Sequence, residues 1–395
     1  MIDYTFAKRD QNVPNSGIGF MMRYASKYQD VVSLGQGTPL FPTPSFIYDE
    51  LYKTSKINHE IGMYSSVKIE VELKKAIINQ MTSIYGFTPD LKQIYLTIGG
   101  IGGLFAAFMS LIEKNDEIIY FDPSYPIHLS QIALTEAKPV FVSFDEKNKW
   151  KMDFEKLHKS ITNKTKAILL TNPNNPTGTV LTKNEVKALS TIILKHNLIL
   201  ILDEAYDFLT YENKKTYSPL SLPELRDNII LCKSFSKEFA MTGWRIGYVF
   251  ANEKLKTAID SVHTYFCISP PTPSIIAATI ALTKKEGKES KQFFIKKFTE
   301  SRSAICERLE KLSNLFSFHK PDGAYYIFPK YNHFDLNAFD FAKMLVDEAK
   351  VITIPGSTMG PSGEGHVRMS FAADSTIIHK AFDQIDDFAK KHKLI

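Results

Sequence analysis

The chain has 395 residues, of which 44% are hydrophobic and 23% are charged, as is usual for globular proteins. The 48 basic and 43 acidic side chains leave a net charge of +5. The composition excludes a disordered, collagen-like or disulfide-stapled chain. The small net charge gives no indication of nucleic-acid binding. No apolar run reaches the roughly 18 residues that a membrane-spanning helix needs, so we expect no membrane partner either.

Residues 1–12 lack the apolar core of a secretory signal peptide. The three cysteines, Cys232, Cys267 and Cys306, have a spacing that predicts neither a disulfide framework nor a zinc site. We therefore expect a cytoplasmic protein with small-molecule partners and no bound metal.

Short apolar runs between residues 93 and 250 predict seven β-strands. The runs are continuous rather than alternating, which is typical of strands buried on both faces of a sheet. They cover residues 93–98, 117–121, 139–142, 166–171, 198–202, 228–231 and 246–250. Amphipathic stretches between them predict helices over 103–113, 124–135 and 183–196. This alternation indicates an α/β fold with a mainly parallel sheet, in which ligands bind beyond the carboxyl ends of the strands.

The pattern changes after about residue 285. A long charged helix is predicted over 288–312, and a turn with a strand over 321–328. A helix over 337–349, strands over 351–355 and 366–371, and a helix over 375–391 complete the chain. These elements predict a smaller α+β domain.

Three motifs follow predicted strands directly. The glycine-rich segment 97–103 opens a helix whose backbone amides suit a phosphate, although a tight packing turn would look the same. Segment 171–178 (TNPNNPTG) offers asparagine side chains at fixed points, or it is an ordinary Asx turn. Asp203 ends an apolar run and either faces the ligand crevice or caps a helix.

Lys237 and Arg368 stand in unusual surroundings. Lys237 follows an apolar strand among small hydroxyl residues, and a desolvated lysine has a lowered pKa and can form a Schiff base. Arg368 lies in a strand pattern, where a guanidinium can clamp a carboxylate, although a structural ion pair is the alternative. A phosphate cradle, a Schiff-base lysine, an aspartate, an Asn/Tyr pair and a carboxylate clamp together indicate pyridoxal 5′-phosphate (PLP) chemistry on an amino acid.

The order and spacing of these motifs resemble those of the fold-type I PLP-dependent aminotransferases of class I/II, the aspartate-aminotransferase-like superfamily. The matching segments are 33–39, 41–44, 175–178, 203–206, 234–237, 242–245, 321–326, 355–357 and 363–368. The resemblance implies a large PLP-binding domain over 46–280, with a mainly parallel central sheet between helices. It also implies a small α+β domain over 281–395, against which an N-terminal arm over 1–45 packs.

The resemblance assigns roles around the cofactor ring. Lys237 would hold PLP as a Schiff base and move the substrate's α-proton. Asp203 would pair with the protonated ring nitrogen, which keeps the ring an electron sink. Tyr206 and Asn175 would bond the phenolic oxygen, and Tyr125 would stack on the ring. Lys237, Asp203 and Tyr206 are thus the implied catalytic residues.

The resemblance also implies the contacts at both ends of the ligand. The implied phosphate contacts are Gly100, Ile101, Ser234, Ser236 and Arg245. Arg368, aided by Asn175 and the backbone of Gly37, would bind the substrate α-carboxylate. Tyr64 would reach the phosphate of a neighbouring subunit, which implies a homodimer with shared sites. The loop over 64–69 lacks the proline and glycine that the family usually carries there.

The implied reaction transfers an amino group from an L-amino acid to a 2-oxo acid. Residues 265–274 contain no arginine or lysine, and Ile101 stands where some relatives with acidic substrates carry lysine. We therefore expect an apolar or aromatic donor rather than aspartate, with Ile18, Phe20 and Tyr125 as walls. His128, one helical turn after Tyr125, is interpreted as structural.

The same residues also serve other PLP reactions, because a fold does not fix a function. A carbon–sulfur β-lyase remains an alternative, and so does an amino-acid oxidase or cyclase. The retained Lys237 and Asp203 argue against a non-catalytic PLP-binding regulator.

Overall fold

The computed structural model describes residues 5–14 and 16–395. Its strands are β1 (Val32–Ser33), β2 (Ile94–Thr97), β3 (Glu117–Asp122), β4 (Lys138–Ser143), β5 (Thr165–Thr171), β6 (Ile199–Asp203), β7 (Ile229–Ser234), β8 (Gly247–Phe250), β9 (Phe316–Ser317), β10 (Tyr326–Ile327), β11 (Lys330–Tyr331), β12 (Val351–Ile352), β13 (Ile354–Pro355) and β14 (Val367–Ser370). All seven strands expected between residues 93 and 250 are present, so that prediction is confirmed.

The α-helices within the described residues are α1 (Lys8–Gln11), α2 (Gly17–Ala25), α3 (Ser45–Ile57), α4 (Val67–Tyr85), α5 (Gly99–Leu111), α6 (Ile127–Leu134), α7 (Phe154–Ser160), α8 (Lys183–His196), α9 (Phe235–Glu238), α10 (Glu253–Cys267), α11 (Thr272–Thr283), α12 (Lys285–Lys311), α13 (Ala338–Ala349) and α14 (Ser375–Lys391). None of these helices is both long and apolar enough to cross a membrane.

A seven-stranded sheet has the order β2-β8-β7-β6-β5-β3-β4. Its strands run parallel except β8, which is antiparallel to both of its neighbours. Successive residues alternate between two apolar clusters: Ile118 and Ile201 belong to one, and Ile119 and Leu202 to the other. The sheet is therefore covered on both faces, and the prediction of a mainly parallel α/β sheet is confirmed.

Edge strand β4 departs from the expected double burial. Its Phe141 side chain is 40% exposed, because β4 has a neighbour on one side only. At the opposite edge, β2 is buried throughout, since α4, α5 and α10 pack beside it.

The C-terminal part forms smaller sheets. Strand β14 lies between β10 and β13 and is antiparallel to both. The single strand expected over 351–355 is wrong, because two strands form there: β12 pairs with β1 and β13 pairs with β14. The long helix α12 packs against α14. The pairing of β1 with β12 brings the N-terminal segment beside the C-terminal strands.

Candidate active site

A cavity of about 410 Å³ lies at the carboxyl ends of β5, β6 and β7. This is the size of a typical small-molecule site and the position expected for one in an α/β sheet. Twelve of the thirteen site residues named from the sequence line it: Gly37, Gly100, Ile101, Tyr125, Asn175, Asp203, Tyr206, Ser234, Ser236, Lys237, Arg245 and Arg368. Residues more than 300 positions apart in the chain are thus brought into one cavity.

Lys237 projects into this cavity from α9, the short helix that begins directly after β7. The Ser234 hydroxyl caps that helix by accepting a hydrogen bond from the Ser236 amide at 3.1 Å. The Lys237 Nζ atom donates to the carbonyl oxygen of Gly37 at 2.6 Å. Burial, reinforced by the nearby Arg368 and Arg245 guanidinium groups, lowers the pKa of Lys237 to about 8. Its amine is therefore neutral, and nucleophilic, far more often than that of a surface lysine.

Asp203 ends β6 with its carboxylate in the cavity. Its Oδ1 accepts a hydrogen bond from the Ala205 amide at 3.1 Å, and its Oδ2 lies 3.1 Å from Nε2 of His128. No helix begins there, so the alternative of a helix cap is wrong.

His128 is fully buried on α6, with its ring packed edge-on to Tyr125 at 5.3 Å. It contacts Asp203, so the sequence interpretation of a merely structural histidine missed a neighbour of the site. The signal was present in its spacing, one helical turn beyond Tyr125.

Tyr206 and Tyr326 meet inside the cavity, with their hydroxyl oxygens 2.8 Å apart. Burial raises the pKa of both hydroxyls, so both stay protonated at neutral pH. Tyr326 received no role from the sequence, although the motif over 321–326 contains it.

One corner of the cavity is suited to an anion. The first turn of α5 presents the amides of Gly99, Gly100 and Ile101, and a helix N-terminus attracts negative charge. Gly99 has φ +72°, and a Cβ there would lie 2.7 Å from Nη2 of Arg245. The left-handed backbone conformation favours glycine here, and the missing Cβ leaves space for the Arg245 guanidinium beside this turn. The hydroxyls of Ser234 and Ser236 line the same cavity.

Arg368 is fully buried in β14 and lines the same cavity. Its Nη2 donates to the carbonyl oxygen of Gly35 at 2.6 Å, and its Nη1 donates to Oδ1 of Asn175 at 3.1 Å. Its Nε has no partner, and no carboxylate pairs with it in the part of the chain that the structure describes. The alternative of a structural ion pair is therefore wrong. A buried guanidinium without a counter-charge is strongly suited to an anionic ligand.

Tyr64 lies outside this cavity. Its side chain is 75% exposed and lines a second cavity of about 540 Å³, which shares Ile101 and Arg245 with the first. The first cavity is therefore built without Tyr64 from the same chain.

Helix α2 supplies one wall of the first cavity through Ile18 and Met22. The expectation for Phe20 is wrong, because its ring packs against Tyr24 and Phe339 at centroid distances of 6.0 and 5.7 Å. Residues 18 and 22 are four apart and share a helix face, whereas residue 20 points elsewhere.

Comparison with known proteins places these features in a family. The model of the family described as aminotransferase class I and II matches residues 29–385. An aspartate aminotransferase from Pyrococcus horikoshii is 31% identical over 383 residues, which cover 97% of each chain. Aromatic-amino-acid aminotransferase 2 from Thermococcus litoralis is 30% identical over 388 residues, covering 98% of this chain and 99% of the relative.

A solved structure gives the same result. The crystal structure of an aromatic aminotransferase from Pyrococcus horikoshii matches with a TM-score of 0.88 and 29% identity, covering 95% of this chain and 100% of that one. The agreement of the family model, the relatives and the fold along nearly the whole length shows that this chain belongs to the aminotransferase class I and II family.

Proposed function

We propose that the first cavity binds PLP and an L-amino acid, and that Lys237 carries out the transfer of the amino group. The observation that carries the proposal is one cavity that joins a lysine of lowered pKa to a buried arginine that no carboxylate among residues 5–14 and 16–395 neutralises. An amine reacts with an aldehyde only when it is neutral, and a guanidinium binds a carboxylate through two parallel hydrogen bonds.

Membership of the family confirms the expected aminotransferase activity and, with it, PLP as the cofactor. The cavity residues fit that cofactor: the α5 turn and Arg245 suit its phosphate, and Asp203 suits a protonated ring nitrogen. When bound, PLP supplies an aldehyde that condenses with amines and a ring that withdraws electrons from the substrate's α-carbon.

Residues of this chain have separate roles in the proposed reaction. Lys237 Nζ accepts the proton from the substrate's α-carbon and returns it during the reverse half-reaction. Asp203 would pair with the ring nitrogen, and the contact with His128 would fix the direction of its carboxylate. Tyr206 and Asn175, which line the cavity, would bond the phenolic oxygen, and the ring of Tyr125 would stack on the cofactor.

Arg368 and the Gly35–Gly37 backbone position the substrate. The guanidinium is held by the Gly35 carbonyl and by Asn175, so its direction is set before a carboxylate arrives. Preorganised groups of this kind lower the barrier because they need no rearrangement during the reaction.

We also propose an apolar donor. Within residues 5–14 and 16–395 the cationic side chains lining the cavity are Lys237, Arg245 and Arg368, and the roles above use all three. Ile18 and Met22 form the α2 wall, and an apolar wall favours an apolar side chain over a second carboxylate.

A homodimer with shared sites is a further part of the proposal. The second cavity is lined by Met63, Tyr64 and Phe266, which are 66%, 75% and 42% exposed, and neighbouring Tyr265 is 89% exposed. Such an exposed apolar surface marks an interaction site. Because this cavity shares Ile101 and Arg245 with the first, a second copy seated there can bring its Tyr64 towards the proposed phosphate site.

The domain division is proposed as well: a large domain over 46–280, a small domain over 281–395 and an arm over 1–45. In support, the seven-stranded sheet uses only residues between Ile94 and Phe250, and β1 pairs with β12. Residues 1–4 and 15 of the arm lie outside the described residues. The three free thiols support a cytoplasmic location.

The proposed cofactor chemistry is tested by adding PLP to the purified protein and recording its absorption. We expect a visible band that Lys237→Ala abolishes. Lys237→Arg, which keeps the charge but cannot condense, should abolish it too. A band that survives both substitutions would show that another residue binds PLP.

The reaction type is tested by adding amino acids without an oxo acid. An aminotransferase converts PLP to pyridoxamine phosphate and stops after one equivalent of oxo acid. Continuing release of ammonia and oxo acid would instead establish a lyase or an oxidase.

The donor proposal is tested with L-leucine, L-phenylalanine, L-alanine and L-aspartate. We expect leucine or phenylalanine to exceed aspartate in kcat/KM by at least about tenfold, the discrimination that one or two apolar contacts provide. Met22→Ala should lower kcat/KM for leucine but not for alanine. Phe20→Ala is the control on the same helix, because its ring faces away from the cavity. Aspartate as the best donor would refute this proposal and leave the cofactor proposal intact.

The shared site is tested by mixing two inactive variants, Lys237→Ala and Tyr64→Ala. A mixed dimer contains one site with both residues intact, so mixing should restore activity. Absence of recovery in a mixture shown to contain mixed dimers would refute the sharing.

A further inference from the structure

Tyr326 contacts two other residues that line the first cavity. It belongs to β10, is 1% exposed and lines the cavity. Its hydroxyl oxygen lies 2.8 Å from that of Tyr206, and the centre of its ring lies 4.6 Å from Cζ of Arg368. One side chain therefore joins the residue that faces the phenolic oxygen of PLP to the residue that faces the substrate carboxylate.

Strand pairing fixes this position. In the antiparallel pair of β10 and β14, Tyr326 lies opposite Ser370. Arg368 is two residues along β14 and on the same face, so the ring and the guanidinium are diagonal neighbours. Tyr325 packs against the ring at a centroid distance of 5.0 Å, and a Cβ at Gly37 would collide with the Tyr326 hydroxyl. The Tyr325 ring and the Gly37 backbone thus border the Tyr326 side chain.

The hydrogen bond between the two hydroxyls can run in either direction. Both hydroxyls are protonated, and one hydrogen bond joins them. Tyr206 is the hydrogen-bond partner of the Tyr326 hydroxyl at 2.8 Å, and either oxygen can be the donor. If Tyr326 donates, then Tyr206 keeps its own proton for an acceptor in the cavity. A donor that itself accepts a hydrogen bond is strengthened by cooperativity.

We infer that Tyr326 is a positioning residue of this active site, whose hydroxyl turns the Tyr206 proton towards the cofactor and whose ring holds the Arg368 guanidinium in place. This inference rests on the proposed function, because it takes PLP as the ligand of Tyr206 and the substrate carboxylate as the ligand of Arg368. The two halves of the inference depend on different parts of one side chain, so two substitutions separate them.

Tyr326→Phe removes the hydroxyl and keeps the ring. Tyr206 then becomes a weaker donor to the phenolic oxygen, which becomes more basic. We expect the apparent pKa of the visible absorption of the PLP-loaded enzyme to rise by about half a unit, the effect of losing one cooperative hydrogen bond. The same substitution should lower kcat by about threefold to tenfold. The Kd of 3-phenylpropionate should stay within about twofold of the wild-type value. This probe is a monocarboxylate without an amino group.

Tyr326→Leu removes the ring as well. The lost contact between ring and guanidinium should weaken 3-phenylpropionate binding by about fivefold, and KM for the donor should rise in parallel. Tyr211→Phe is the matched control, because Tyr211 is a buried tyrosine whose hydroxyl donates to Ala324 O at 2.7 Å and which does not line the cavity. It should change neither the absorption titration nor the Kd.

Two results would overturn the inference. If Tyr326→Phe shifts the absorption titration no more than Tyr211→Phe does, the hydroxyl does not direct Tyr206. If Tyr326→Leu and Tyr326→Phe bind 3-phenylpropionate equally, the ring does not hold Arg368. Failure of the proposed function is distinguishable, because the wild-type protein would then show no visible band that depends on Lys237.

Discussion

Replacing Lys237 by methionine is expected to stabilise the cofactor-free protein. Burial beside Arg368 and Arg245 lowers the pKa of this lysine from 10.5 to about 8. One pKa unit corresponds to about 1.4 kcal/mol, so holding the ammonium in this position costs about 3 kcal/mol. Lys237→Met also removes the hydrogen bond to Gly37 O, which contributes about 1 kcal/mol, so the net gain at pH 7 is about 2 kcal/mol.

The pH dependence of the stability difference shows whether the gain comes from removing the charge or from better packing. Below pH 8 the amine is protonated in both the folded and the unfolded chain, and the folded chain carries the whole cost. Between pH 8 and pH 10.5 the folded chain releases the proton while the unfolded chain keeps it, so wild-type stability rises with pH. The advantage of Lys237→Met should therefore shrink, and reverse, across this window.

Urea unfolding of both cofactor-free proteins at about pH 7 and about pH 10 measures the difference. Lys291→Met is the matched control, since its Nζ lies 2.7 Å from Oε1 of Glu238 and its loss should destabilise the protein. The reasoning would be refuted if Lys237→Met were no more stable than the wild type at pH 7. A stability difference that did not change with pH would refute it equally, because the gain would then come from packing.

Further substitutions test other parts of the structure. A Cβ at Gly247 would lie 2.5 Å from a backbone oxygen of β7, so Gly247→Ala should lower the free energy of unfolding by at least about 2 kcal/mol. Gly243→Ala, which meets nothing within 4 Å, should change it by less than about 0.5 kcal/mol, and equal effects would contradict the steric argument. Arg368→Lys keeps the charge but loses the two-pronged geometry, so KM for the amino donor should rise by about tenfold or more in steady-state assays. An unchanged KM would place the carboxylate elsewhere. His128→Phe leaves Asp203 without its partner and should weaken PLP binding by about tenfold in a fluorescence titration, and unchanged affinity would show that the contact is incidental.

The strands of the large sheet were predictable because burial on both faces leaves continuous apolar runs. The reversed direction of β8 was not, since periodicity carries no information on strand polarity. Helix α5 begins four residues before the predicted start, at Gly99. Its glycines do not break the helix but let it approach the sheet: a Cβ at Gly103 would lie 2.7 Å from Val249. Helix α11 was not predicted, because apolar side chains lie on nearly all of its faces and leave no amphipathic pattern.

The candidate site was largely predictable because its residues belong to short motifs at strand ends. His128 and Tyr326 were missed for a physical reason: each acts through a contact with a residue far away in sequence. His128 meets Asp203 across 75 positions, and Tyr326 meets Tyr206 across 120. A linear pattern does not contain such contacts, although the spacing of His128 from Tyr125 indicates a shared helix face. Tyr64 was placed by resemblance alone, and its exposed position leaves its role to the dimer experiment.

The hydrogen bonds of Arg368 set the order in which this protein becomes functional. The guanidinium bonds Gly35 and Asn175, which precede it by 333 and 193 residues. During synthesis the proposed carboxylate clamp is therefore incomplete until nearly the whole chain has left the ribosome. Contacts between such distant segments form late in folding, because the loop between them must close first. Under the proposed roles, substrate binding is thus a late event in the life of each chain, because a chain that contains Lys237 but lacks Arg368 also lacks the proposed carboxylate clamp.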